Sequence, residues 1–129
     1  LPMVFFDTNK SLITKEQKDE MRETVVKFIK ENPTVKLRIN GHTDDIGNDR
    51  FNVTLSAKRA EAVYKFLLEE GVPKENLEVN SFGRAIPLYP PGYQGLDPEF
   101  ARSRNRRVVF DVVGGDKKFI IKDNAEKAQ

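Results

Sequence analysis

The feature that most constrains this chain is a switch between two hydrophobic periods. Val35, Leu37 and Ile39 alternate with Lys36, Arg38 and Asn40, the period of two expected of a strand with one buried face. On either side the period lengthens. Met21, Val25, Phe28 and Ile29 recur at helical spacing, and so do Ala60, Val63, Phe66 and Leu67. Each helix therefore carries one apolar stripe and needs another element to bury it. The flanking signals agree. Thr14 followed by Gln17 makes a capping box, and Pro33 stops the first helix. Ser56 reads as the N-cap of the second helix, and Gly71 stands where a C-terminal residue of positive φ is expected.

The remaining strands are shorter. Residues 3–6, Met-Val-Phe-Phe, fit a buried first strand that Asp7, Thr8 and Asn9 break. Leu77, Val79 and Phe82 make a third strand. Arg107 to Val113 make a fourth, rich in β-branched residues. Residues 83–103 contain Pro87, Pro90, Pro91 and Pro98 and read as one long connection, a kind of segment that is often functional. The order β-α-β-α-β-β predicts an α+β fold: a two-layer sandwich with a four-stranded sheet and two main helices on one face. One domain is expected over residues 1–113. The charged segment 114–129 is expected to form a partly disordered tail.

Composition narrows the function. Lys and Arg number 22 against 20 Asp and Glu, a net charge of +2, too balanced for a dedicated polyanion binder. Arg102, Arg104, Arg106 and Arg107 cluster, but Asp97 and Glu99 lie alongside, so nucleic acid is not an expected partner. Without cysteine there is no disulfide, thiolate zinc site or cysteine nucleophile. His42 is the only histidine, and Asp44, Asp45 and Asp49 lack the spacing of a calcium loop. Neither a metal nor a cofactor is expected. No nucleophile–base arrangement emerges, so the chain does not read as an enzyme. No apolar run approaches the roughly 20 residues of a membrane span. The opening Leu1-Pro2 reads as a piece of a longer protein, with any membrane tether outside it.

Polar chemistry concentrates between Gly41 and Asn52. A helix starting near Ser56 would set Arg59 in its first turn, beside unpaired backbone N–H groups. A guanidinium fork and a helix N-terminus together suit a carboxylate. Asp44, just upstream, offers a fixed negative charge for an ammonium, so the pair describes a receptor for a zwitterion. The plainer reading is that Asp44 and Arg59 pair with each other on the surface and contribute little.

The run Gly41-His42-Thr43-Asp44, followed by Gly47, Asn52, Leu55-Ser56, Arg59-Ala60 and Val63, resembles the signature of OmpA-like domains. Gly83 with Pro87, and then Asn105-Arg106-Arg107-Val108, resemble its C-terminal half. The resemblance covers about residues 1–113 and implies a mixed sheet of strand order 1-4-2-3. It also implies non-covalent binding of peptidoglycan through the diaminopimelate of the peptide stem. It assigns the ligand ammonium to Asp44 and the ligand carboxylate to Arg59. Asn52 and Asp7 are implied as further polar contacts, Thr43 accompanies Asp44 in the motif, and one of Arg106 and Arg107 is expected to face the pocket. The implied setting is the periplasm, with a tether to the outer membrane or envelope supplied outside this chain. The competing reading is a protein–protein scaffold that has lost its ligand. Tyr89-Pro90-Pro91-Gly92-Tyr93 departs from the pattern by its length. The 83–103 connection is therefore a candidate cover for the site or a surface for envelope protein partners.

Overall fold

The computed structural model describes residues 1–114. The expected tail, apart from Gly114, lies outside the described residues. The sheet is built from β1 (Val4–Phe5), β2 (Lys36–Gly41), β3 (Leu77–Ser81) and β4 (Arg107–Gly114), in the order β1-β4-β2-β3. β4 runs antiparallel to β1 and β2, while β2 and β3 are parallel. The mixed sheet and its 1-4-2-3 order agree with the expectation.

The first helix, α1, begins as Lys15–Met21, widens through a π-turn at Arg22–Val26 and ends as Lys27–Glu31. Thr14 and Gln17 close the expected capping box, and the Gln17 amide reaches the Phe5 carbonyl at 2.6 Å, tying α1 to β1. The second helix, α2, spans Asp49–Glu69. At its end Gly71 (φ +89°) donates to Leu68 O and Val72 donates to Leu67 O, both at 3.0 Å. This double bond pattern is a Schellman stop, and it needs the positive φ that glycine supplies. The apolar stripes of both helices meet Leu37, Ile39, Val108 and Phe110 in one core. Among the described residues no helix is long and apolar enough to cross a membrane.

Three local readings change. First, β1 is not buried on both faces. Val4 and Phe6 enter the core, while Phe5 lies half-buried beneath the Arg104 guanidinium at 4.9 Å. Second, α2 starts two turns earlier than Ser56. Asn48, as good a cap as serine, accepts from Phe51 N at 2.8 Å. Ser56 sits inside the helix, where its hydroxyl donates to Val53 O and accepts from Gly83 N. The helix there crosses the end of β2 at backbone contact: a Cβ on Gly41 would overlap the Ser56 carbonyl oxygen. Third, the 83–103 connection holds a further helix, α3 (Pro98–Asn105), capped by Asp97 with Pro98 in its first turn. Proline is at home there because its missing N–H would have had no helical partner.

Candidate functional site

The early start of α2 moves Arg59 nearly three turns inside the helix. It is not at a helix N-terminus, and its side chain is fully buried. The guanidinium instead ties three segments together. Nε donates to Lys10 O at 2.8 Å, Nη1 to His42 O at 3.1 Å and Nη2 to Asp7 O at 3.1 Å. Asn9 makes this possible: at φ 59° it turns the chain after β1 so that the Asp7 and Lys10 carbonyls share one guanidinium. Asparagine tolerates that left-handed conformation better than most residues. The Phe6 ring lies 5.4 Å from the guanidinium carbon. Burial lowers the Arg59 pKa from the ordinary guanidinium range to about 10; Asp44 opposes the shift and Arg106 adds to it. The group is still a cation at neutral pH.

Asp44 is also buried, at 7% exposure. Its partner is Arg106, not Arg59: Nη1 of Arg106 donates to Asp44 Oδ2 at 3.2 Å. The other carboxylate oxygen accepts from Ile46 N at 3.0 Å. Arg106 in turn donates from Nε to Phe6 O and from Nη1 to the exposed Glu99. The expectation of an open cleft between Asp44 and Arg59 is therefore corrected, and so is that of a surface pair between them. One buried carboxylate stands among two buried guanidiniums where the turn after β1, the loop before α2 and the start of β4 meet.

The other expected residues divide by role. Asn52 donates to Ile46 O and fixes the loop that presents Asp44. Thr43 is held by Gly83 O through its N–H, and its hydroxyl donates to Asp44 O. Asp7 contributes its carbonyl to Arg59 and is otherwise exposed. Arg107 leaves the group. It lies on the opposite side of the sheet among Arg38, Asn40 and His42. Strand alternation separates it from Arg106, and of the two it is Arg106 that reaches Asp44.

The sequence reading missed Glu99 and the pair Arg102–Asp45, joined at 3.0 Å. Both Glu99 and Arg102 belong to α3, which brings them to the loop before α2. The signal was present in Asp97-Pro98, a cap followed by a first-turn proline. Among the described residues no cluster of His, Asp and Glu could hold a metal ion.

The comparisons with known proteins now bear on this arrangement. The model of the OmpA family matches residues 5–94. The chain belongs to the OmpA family. The match includes Asp44 and Arg59 and stops before α3 and Arg106. Curated relatives of this OmpA domain include a peptidoglycan-associated lipoprotein from Agrobacterium fabrum, 30% identical over 87% of this chain and 59% of that protein. Outer membrane protein Omp38 from Acinetobacter baumannii is 33% identical over 97% of this chain and 33% of its own length. The domain thus spans less than two thirds of either relative. Among solved structures, the peptidoglycan-associated lipoprotein from Burkholderia pseudomallei superposes with a TM-score of 0.74 at 29% identity, covering 87% of this chain and 88% of that one. The C-terminal domain of Helicobacter pylori MotB shares the fold, with a TM-score of 0.80 at 24% identity, covering 97% of this chain and 93% of that one.

Proposed function

We propose that this domain binds peptidoglycan non-covalently, through the diaminopimelate of its peptide stem, and so anchors an envelope protein to the cell wall from the periplasm. It is a binding module and performs no catalysis. Residues 1–113 make the binding unit, and the membrane tether belongs to sequence outside it. Relatives named as peptidoglycan-associated support the ligand class.

The observation that carries the reading is the mixed charge buried at one site: Asp44 stands among Arg59 and Arg106, with Glu99 reaching only from the surface. A zwitterion, neutral overall, leaves the net charge unchanged but offers an opposite charge to each kind of group. Its ammonium replaces Arg106 on Asp44, and its carboxylate takes Arg59 together with the released Arg106. Three of the five N–H groups of Arg59 are committed to carbonyls, which leaves one on each terminal nitrogen. Reaching them requires the exposed turn at residues 7–10 to lift.

The enclosure of Arg59 favours a second reading, a scaffold domain in which this cluster only holds the fold. One experiment separates the two. Sacculus pull-down and calorimetric titration with a diaminopimelate stem peptide are run on wild type, Asp44→Asn and Arg59→Lys, each checked by thermal melting. Asp44→Asn keeps the acceptor for Ile46 N–H and removes the charge. Leaving a ligand charge desolvated and unpaired costs about 2–5 kcal/mol, roughly a 30-fold to several-thousand-fold loss of affinity. Arg59→Lys is expected to bind weakly because an ammonium lacks the planar fork. A stem carrying lysine has no carboxylate beside its ammonium and is expected to bind poorly. No binding by the folded wild-type domain would establish the scaffold reading, and wild-type affinity retained by a folded Asp44→Asn protein would remove Asp44 from the binding site.

A further inference from the structure

The side chains of two motif residues, His42 and Arg107, take no part in the Asp44 cluster. They lie on the face of the sheet away from the helices and line a cavity of about 200 Å³ with Arg38, Asn40, Phe82 and Asp111. His42, Asn40 and Arg107 are each at least 95% buried. Among the described residues, three buried side-chain polar atoms lack a hydrogen-bond partner: Asn40 Oδ1, His42 Nδ1 and Arg107 Nε. All three belong to this one wall. Such atoms are costly wherever they stand alone.

The charges point the same way. Arg107 donates only to neutral carbonyls, Asn105 O at 3.3 Å and Ile86 O at 3.0 Å. Desolvation lowers its pKa, and no carboxylate offsets that shift. Asp111 is engaged by Asn40 Nδ2 at 2.8 Å, and Arg38, also at the wall, is already paired with Glu78 at 3.3 Å. Arg107 is therefore the guanidinium of this lining that meets only neutral acceptors, and it suits one negative charge. Asn40 Oδ1 asks for a donor close to that charge. Phe82, Ile86 and Val109 supply apolar surface for the rest of the ligand.

We infer that this cavity is a second binding site, selective for a small carboxylate with an N–H or O–H donor on the adjacent carbon. The carboxylate meets Arg107 and the donor meets Asn40. The His42 ring, stacked on Phe82 at 5.3 Å, supplies Nδ1 between them. The three atoms lie behind the wall, so the ligand seats as the Phe82 ring gives way. A free acylamino or hydroxy acid and the C-terminal residue of a peptide share this chemistry.

The test is a ¹⁵N NMR titration of the isotope-labelled domain, following Arg107 Nε and the His42 ring. N-acetylglycine is expected to give a saturable shift. Acetate, which lacks the donor, and N-acetylglycinamide, which lacks the carboxylate, are expected to bind at least tenfold more weakly. Tetraglycine binding more tightly than N-acetylglycine identifies a chain end as the source, and the reverse order identifies a free acid. Val109→Phe fills the cavity from its half-buried wall and is expected to abolish the shift while sacculus binding stays at the wild-type level. Arg107→Gln is expected to do the same if folded. No saturable shift, equal response to the amide, or unchanged binding in a folded Val109→Phe protein overturns the site.

Discussion

Asp44 and Arg59 stand fifteen positions apart, as the motif led one to expect, yet their partners were not legible from spacing. Arg59 spends its N–H groups on three carbonyls, and Asp44 is neutralised by Arg106. Burial decides both outcomes, because a desolvated charge takes whichever partner the backbone places nearest. Burial also decides the state of His42. It lowers the His42 pKa from 6.5 to about 4, and the nearby Arg107 cation pushes the same way. Folded His42 is thus neutral at pH values where the unfolded chain takes up a proton. Stability that is complete above about pH 6.5 is expected to fall as the pH drops towards 4, then to level off below it. A shift of that size amounts to about 3 kcal/mol. Urea denaturation at steps from pH 7 to pH 4, compared between wild type and His42→Gln, isolates this contribution from that of the carboxylates. Equal slopes in the two proteins would show that His42 takes up its proton over the same pH range in the folded and unfolded states.

Elements were legible where a periodic stripe and a cap coincide. Thr14 with Gln17, and Gly71 beyond Leu67, bracket helix ends that the structure keeps. The start of α2 was misread because Ser56 is chemically a fine cap, and only the close crossing with β2 shows that its hydroxyl serves Gly83 instead. α3 was hidden by prolines counted as loop formers, although Pro98 directly follows its cap. The crossing yields a sharp expectation. In Gly41→Ala the new Cβ would collide with the Ser56 carbonyl oxygen, a backbone atom that no side-chain rotation can clear. The helix must shift, and a loss of about 2–3 kcal/mol is expected. Gly92→Ala is the control: its Cβ meets nothing within 4 Å, and only its φ of +79° is strained, for about 1–2 kcal/mol. Thermal melts of both variants rank them. If the Gly41→Ala protein proves as stable as the Gly92→Ala protein, the crossing is removed as the reason for glycine.

At the scale of the whole molecule, the proposed ligand site is a junction of three chain segments closed from inside by one helix side chain. No single segment's sequence discloses that closure, because it depends on where the turn after β1 lands against α2. Its functional consequence is that binding and local stability are linked. If diaminopimelate takes N–H groups of Arg59, the Asp7 and Lys10 carbonyls lose part of their hold, and the turn at residues 7–10 must open. That turn is exposed and is closed on itself by one bond, from Lys10 N to Asp7 O at 3.1 Å, so the main cost of opening it is the two bonds to Arg59, which the ligand carboxylate replaces. The core behaves oppositely, since a ligand that binds only the folded state stabilises it by mass action. Hydrogen exchange with and without a diaminopimelate stem peptide is therefore expected to move in two directions at once. The Lys10 amide should exchange faster in the complex, while the buried amides of Leu37 and Ile39 in β2 should exchange more slowly. Slower exchange at all three would mean that the ligand seats on the closed cluster and reaches Asp44 without disturbing Arg59. Binding would then rest on Asp44 and Arg106 alone.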